Sequence, residues 1–180
     1  MRETVRQDLS RSAAAFRNIV WPQIAMWFGG GHLETVEAVT ASQMAKDLDI
    51  LAGIDAWHID GAVRGIASRI QYGIPYNTFT VRMKRSSGIE TEYAKRLQAI
   101  ESDNGWLYPH ITVQAYIDHD ILLSAAACRT ADLIRYIRDN LSSIKMKSAT
   151  DNGNSAEFAI VTWEDLKQDH GVKIFKRVET

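Results

Sequence analysis

The chain has 180 residues, 46% of them hydrophobic and 24% charged, which is enough to bury the core of one globular domain. Lys+Arg 21 against Asp+Glu 22 leaves a net charge of -1, so a uniformly basic protein is excluded and only local basic patches remain open. The single cysteine, Cys128, excludes an internal disulfide and a cysteine-rich metal site, and its apolar setting from Ser124 onward predicts a buried thiol.

Arg2, Glu3, Arg6 and Asp8 interrupt any early apolar run, so neither a signal peptide nor a membrane span is expected and the chain reads as soluble and cytoplasmic. Val5, Leu9, Ala13, Phe16 and Val20 recur at helical spacing and predict a helix over about residues 3–20. Pro22 should end or kink it, with a second helical piece running to Phe28. Gly29-Gly30-Gly31 then reads as a flexible exit turn, because no phosphate-loop pattern follows it. Residues 32–39 predict a short strand, and 41–51 a short helix or connector.

Residues 53–59 and 62–71 are extended runs around Asp60-Gly61, a hairpin signal. A two-residue turn would pair Ile59 with Ala62, whereas a bulged turn with Gly61 would pair His58 with Ala62. The bulged turn is preferred. It gathers Ile54, Ala56, Ile66 and Ile70 on one apolar face and sets Asp55 on the other with Ala67, Arg69 and Gln71. Residues 78–84 alternate, with Phe79, Val81 and Met83 opposite Thr80, Arg82 and Lys84. Ser87 and Glu90 form a capping-box pattern for a helix carrying Tyr93, Ala94, Leu97 and Ile100. Residues 111–117 and 121–128 predict a second hairpin, and Thr130 is placed to cap the next helix. The polar stretch 140–156 reads as a loop. Strand 158–161, a helix capped by Thr162 and ended by Gly171, and strand 172–175 close the chain. The fold class is therefore α/β, a mixed sheet flanked by helices. We expect a single domain: a helical arm over 1–30, a core over about 31–140, and a strand-helix-strand extension over about 156–176.

Asp55 lies inside a predicted strand, where Asp is depleted, so its carboxylate needs a metal or catalytic role, an ion pair with Arg69, or water. Glu37 could join it as a second ligand and Asp49 could stand behind, unless both are plain surface charges. Carboxylates from adjacent elements are what Mg²⁺ requires, and Mg²⁺ beside a phosphodiester lowers the pKa of an attacking water. Arg64, Arg69, Arg82, Lys84 and Arg85 give the middle of the chain a positive bias suited to phosphate contact or to a solvated face. Tyr72 and Tyr76, in the loop before the basic strand, are the aromatics best placed to stack on unpaired bases. The histidines form no metal pattern, and no nucleophile elbow is present.

The element order, with Leu51-Ala52-Gly53-Ile54-Asp55 entering a hairpin and Gly65-Ile66-Ala67-Ser68-Arg69 on the strand that follows, resembles the restriction-endonuclease-like PD-(D/E)xK nuclease superfamily. The resemblance implies an α-β-β-β-α-β core, with Asp55 and the upstream Glu37 as Mg²⁺ ligands. Ala67 stands where that family has Glu or Gln and Arg69 where it has Lys, with Gln71 on the same face as a substitute. Residues 76–80 and 87–92 are also similar to bacterial or mobile-element relatives of that fold. The implied function is Mg²⁺-dependent cleavage of nucleic acid, DNA rather than RNA, or nucleic-acid binding by a degenerate nuclease. The alternative is a non-catalytic protein-interaction or structural domain. A partner protein or a second copy of the chain would then supply affinity or a missing group.

Overall fold

The structure is a computed structural model that describes residues 10–36, 53–60, 62–86, 90–102, 108–151, 154–169 and 171–177. Glu37, Asp49 and the expected helix over 41–51 lie outside the described residues.

The first helical segment, α1, covers residues 10–28 and is not broken at Pro22. A π-helical turn, Phe16–Val20, precedes an α-helical turn, Trp21–Ile24, in which the proline occupies an early position. A proline has no N–H to return to the preceding turn, and the wider π turn absorbs that mismatch without a break. The segment tightens to 3₁₀ over Ala25–Phe28 and stops at Gly29, φ +86°. The glycine triplet is a fitted turn rather than a flexible one. Gly31 (φ +84°) packs so closely that a Cβ there would meet His58 Nε2 at 2.6 Å and the Ile59 carbonyl at 2.8 Å. His58 Nε2 lies 2.7 Å from the Gly30 carbonyl oxygen and ties the turn to the sheet.

Nine strands of the described residues form two sheets. The main sheet takes β1 (His32–Thr35), β2 (Ala56–Ile59), β3 (Val63–Tyr72), β5 (Ile111–Asp118), β6 (Ile121–Arg129) and β9 (Lys173–Lys176), in the order β1-β2-β3-β5-β6-β9. The pair β3–β5 is parallel and its other pairings are antiparallel. The second sheet has the order β4-β8-β7, with β4 at Thr78–Arg85, β7 at Lys145–Asp151 and β8 at Asn154–Thr162. Three further helices follow: α2 (Glu92–Glu101), α3 (Thr130–Asp139) and α4 (Trp163–Asp169). No helix among the described residues is long and apolar enough to cross a membrane.

The first hairpin pairs Ile59 with Val63 and His58 with Arg64, two residues away from the expected pairing of His58 with Ala62. A shift of two preserves the faces within the paired strands, because side chains alternate with a period of two, but Ile54, ahead of β2, leaves the expected apolar face and packs with Val36 and Trp57. Ala56 and Ile66 therefore share an apolar core with Phe16, Val20, Trp21 and Ile24 of α1. Ala67, Arg69 and Gln71 look the other way, beside Thr112, Gln114 and Tyr116 of β5. On that second face Tyr116, Ala126 and Cys128 pack against Leu133, Ile134 and Ile137 of α3, Phe79 and Val81 of β4, and Trp163 of α4.

Four expectations are corrected. The basic strand β4 leaves the main sheet, because Gly73 (φ +92°) and Asn77 (φ +53°) turn the chain toward β8. The polar stretch after Asn140 is not a loop but most of the β7–β8 hairpin. Exposed edge strands such as β7 carry few apolar residues, which is why composition alone hid it. The N-cap of α2 is Thr91, whose Oγ1 accepts from Ala94 N at 3.3 Å, not Ser87. Thr130 caps nothing; its buried hydroxyl pairs with Thr112 Oγ1 at 2.8 Å. Thr162 does cap α4, accepting from Asp165 N at 3.1 Å.

Candidate nucleic-acid cleft

Polar rungs join the main sheet to the start of β4. The buried Tyr116 hydroxyl donates to the Thr78 carbonyl at 3.1 Å. Gln114 Oε1 accepts from Thr80 N at 3.1 Å and from Thr80 Oγ1 at 3.2 Å. Arg69, next to Gln114 across the parallel pair, donates through Nη1 to Thr80 Oγ1 at 3.1 Å. These rungs fix the angle between the two sheets and open a cleft of about 680 Å³ between them.

Alternation in three strands decides what lines that cleft. Thr78 and Thr80 of β4, Phe158, Ile160 and Thr162 of β8, and Lys145 and Lys147 of β7 share one face of the second sheet. The opposite residues Phe79, Val81, Ala159 and Val161 fill the core. Arg69, Gln71 and Tyr76 complete the wall from the main-sheet side. Arg69 and Arg82 lie over the Phe158 ring at 5.5 and 5.3 Å, and Lys147 Nζ is 5.9 Å from the Tyr76 ring, all within cation–π range. Among the described lining residues there are three cations and no carboxylate.

Behind this wall Glu92, the first residue of α2, gathers the guanidinium groups. Its Oε2 accepts from Arg69 Nη2 at 3.0 Å and from Arg82 N at 3.4 Å. Its Oε1 lies 2.5 Å from Nη1 of the buried Arg96, a charge contact whose angle is poor for a hydrogen bond. Burial raises the Glu92 carboxyl pKa, but Arg96, Arg69 and the Arg82 N–H outweigh it and hold the group below the ordinary carboxylate value. Arg82 is lowered, first by burial and then by Arg85 and Arg69, while Glu92 opposes the shift. Gln114 Nε2 and Arg82 Nε are buried donors with no acceptor among the described residues.

The residues singled out from sequence separate in space. Arg69, Gln71 and Tyr76 meet in the cleft and Arg82 stands at its back. Lys84 pairs with Glu157 at 2.9 Å, beyond a bulge that follows Arg82. Arg85 pairs with Ala156 on the β8 ladder, outside the cleft lining. Tyr72 stands apart from the cleft, 41% exposed, with the Arg11 guanidinium over its ring at 4.2 Å. Arg64 is at the other end of β3, near His110. Asp55 precedes β2, with its N–H donating to the Ile66 carbonyl at 2.8 Å and its Oδ2 accepting from Ser68 N. Lys145, Lys147, Phe158 and Glu92 were missed. The period of two in Lys145-Met146-Lys147 was the available signal for the lysines.

Of the two Mg²⁺ ligands that the nuclease resemblance implies, Asp55 lies among the described residues and Glu37 outside them. Nowhere among them do three or more His, Cys, Asp or Glu side chains converge. Near Asp55, Ala67 offers no oxygen, and both terminal nitrogens of Arg69 are engaged by Thr80 and Glu92. No protein-family model matches the chain, and no curated protein or solved structure matches it significantly.

Proposed function

We propose that the protein binds single-stranded nucleic acid in the cleft between its two sheets, as a nuclease-like fold that holds its ligand without cutting it. The observation that carries this reading is the cleft lining: Arg69, Lys145 and Lys147, aromatic rings at Tyr76 and Phe158, and no described carboxylate. Phosphates need mobile cations at the rim, and Lys145 and Lys147 are exposed on strand β7. Unpaired bases need an open ring face, and Tyr76 is 65% exposed. A restriction-endonuclease-like origin is supported by Asp55 at the entry to a hairpin whose second strand pairs in parallel with β5. The departures at Ala67 and Arg69 favour binding over cleavage, and the same resemblance favours DNA over RNA.

The test is fluorescence anisotropy with short labelled DNA and RNA, single-stranded and duplex, over a salt series with and without Mg²⁺. Replacing both Lys145 and Lys147 by Ser should reduce the slope of log K against log salt by about 1.4 for a single strand, from roughly 0.7 per phosphate contact. Tyr76→Ala should weaken binding by about 1–3 kcal/mol. Absence of binding at low salt, or slopes and affinities that ignore these substitutions, refutes the reading and leaves a protein-interaction role. Mg²⁺-dependent cleavage abolished by Asp55→Asn refutes the non-cutting part and returns the protein to the nucleases.

A further inference from the structure

A second cleft, of about 650 Å³, lies at the end of the main sheet where β3 and β5 begin and β6 ends. Four cations line it, Arg64, Arg129, Arg135 and Lys173, in a chain whose formal net charge is -1. Two of them are committed to building the wall. Arg129 holds both oxygens of Asp132 at 2.8 Å, and Lys173 Nζ donates to the Trp27 carbonyl at the end of α1. The other two, Arg64 and Arg135, are exposed and have no ion-pair or hydrogen-bond partner among the described residues. Asp139, one turn beyond Arg135 on α3, is hydrogen-bonded by Arg138 at 2.8 Å and feels Arg135 only as a weaker neighbouring charge. Concentrating cations in a concave site without counter-charge is unfavourable in the free protein and becomes favourable when an anion enters.

The lining also carries four aromatic rings. The Tyr108 ring stacks on His110 at 6.0 Å with planes 30° apart, and Trp27 and Phe28 also line the cleft. His110 Nδ1 accepts from Gly65 N at 3.3 Å, which places the ring proton on Nε2 in the neutral form and makes that edge a donor. Burial, and then the charge of Arg64, hold His110 below the usual histidine pKa, and an anion that offsets Arg64 removes the second of these causes.

We propose that this cleft is a binding site for a nucleoside monophosphate group, with Arg64 and Arg135 on the phosphate monoester and the Tyr108–His110 stack and Trp27 against the planar base. The volume matches one small ligand. The site does not depend on the cleft between the sheets, and it stands or falls separately from the nucleic-acid reading.

The probes are AMP, adenosine and a 5′-phosphorylated oligonucleotide, titrated into the whole chain by calorimetry while the His110 ring proton is followed by NMR. Both arginines are exposed, so Arg64→Ser and Arg135→Ser leave the core intact. Each should weaken AMP binding about tenfold or more, the loss expected for a charge-assisted hydrogen bond. The Lys145→Ser/Lys147→Ser protein should bind AMP normally, and bound AMP should raise the apparent pKa of His110. AMP binding alone assigns a free nucleotide, whereas tighter binding of the phosphorylated strand assigns a strand terminus. No saturation at millimolar AMP, equal binding of adenosine, indifference to both arginine substitutions, or an unmoved His110 titration overturns the proposal.

Discussion

Glu92→Gln is the sharpest test of the charge cluster that underlies the cleft. The carboxylate is 21% exposed and meets Arg69, 30% exposed, at 3.0 Å and Arg96, 5% exposed, at 2.5 Å. Glutamine keeps the shape but removes the charge, which leaves the buried Arg96 without a counter-ion among the described residues and sets three guanidinium groups against one another. Breaking one side of a buried pair costs about 3–5 kcal/mol, and the partial exposure of Glu92 and Arg69 places this case at the lower end, about 3 kcal/mol. For a chain of this size that corresponds to a fall in Tm of roughly 6–12 °C. Urea unfolding of both proteins over a pH series measures the effect. The folded-state pKa of Glu92 lies below its unfolded value. Its contribution is therefore complete above the unfolded pKa of about 4.3 and disappears as pH falls through the lower folded value. The gap between wild type and Glu92→Gln should be full near neutrality and close in acid. A gap below about 1 kcal/mol, the size of a surface ion pair, refutes the reasoning, as does a gap that ignores pH.

Two further predictions concern the frame. Gly30→Ala and Gly31→Ala share φ +84°, but a Cβ at Gly30 meets nothing within 4 Å while one at Gly31 collides with His58 and the Ile59 carbonyl. The first should cost about 1–2 kcal/mol of backbone strain and the second on the order of 3 kcal/mol or more, so equal melting temperatures would sink the fitted-turn account. Burial, reinforced by Asp132, pushes the Cys128 thiol well above its ordinary pKa although Arg96 opposes the shift. Thiol reagents at mildly alkaline pH should label it only as fast as urea unfolds the chain, and rapid labelling of the native protein would show the side chain to be accessible.

Much of the architecture was legible from local pattern. The strands expected over 111–117 and 121–128, the Asp118-His119-Asp120 link and the Thr162 cap all reappear, because each depends on neighbours in sequence, although both strands are buried on both faces instead of alternating. The face assignment of Ala67, Arg69 and Gln71 also survived, since parity tolerates the two-residue shift in register, whereas Ile54, ahead of β2, packs with Val36 and Trp57 instead of with Ala56 and Ile66. Helix passage through Pro22 was not legible, because the compensating π turn lies one turn earlier and is held by core packing of Phe16 and Val20.

The sequence by itself determined that this is a chain of alternating strands and amphipathic helices, with a buried cysteine and basic residues concentrated in its middle. Only the tertiary structure decided which basic residues act together. Gly73 and Asn77 swing β4 onto β8, and β8 brings in β7, so Lys145 and Lys147 come to face Arg69 from far along the chain while Arg64, on the same strand as Arg69, serves a different cleft. Side-chain period is a local property, but the partner of an edge strand is chosen by long-range packing, and the clefts form where those choices leave the sheets apart.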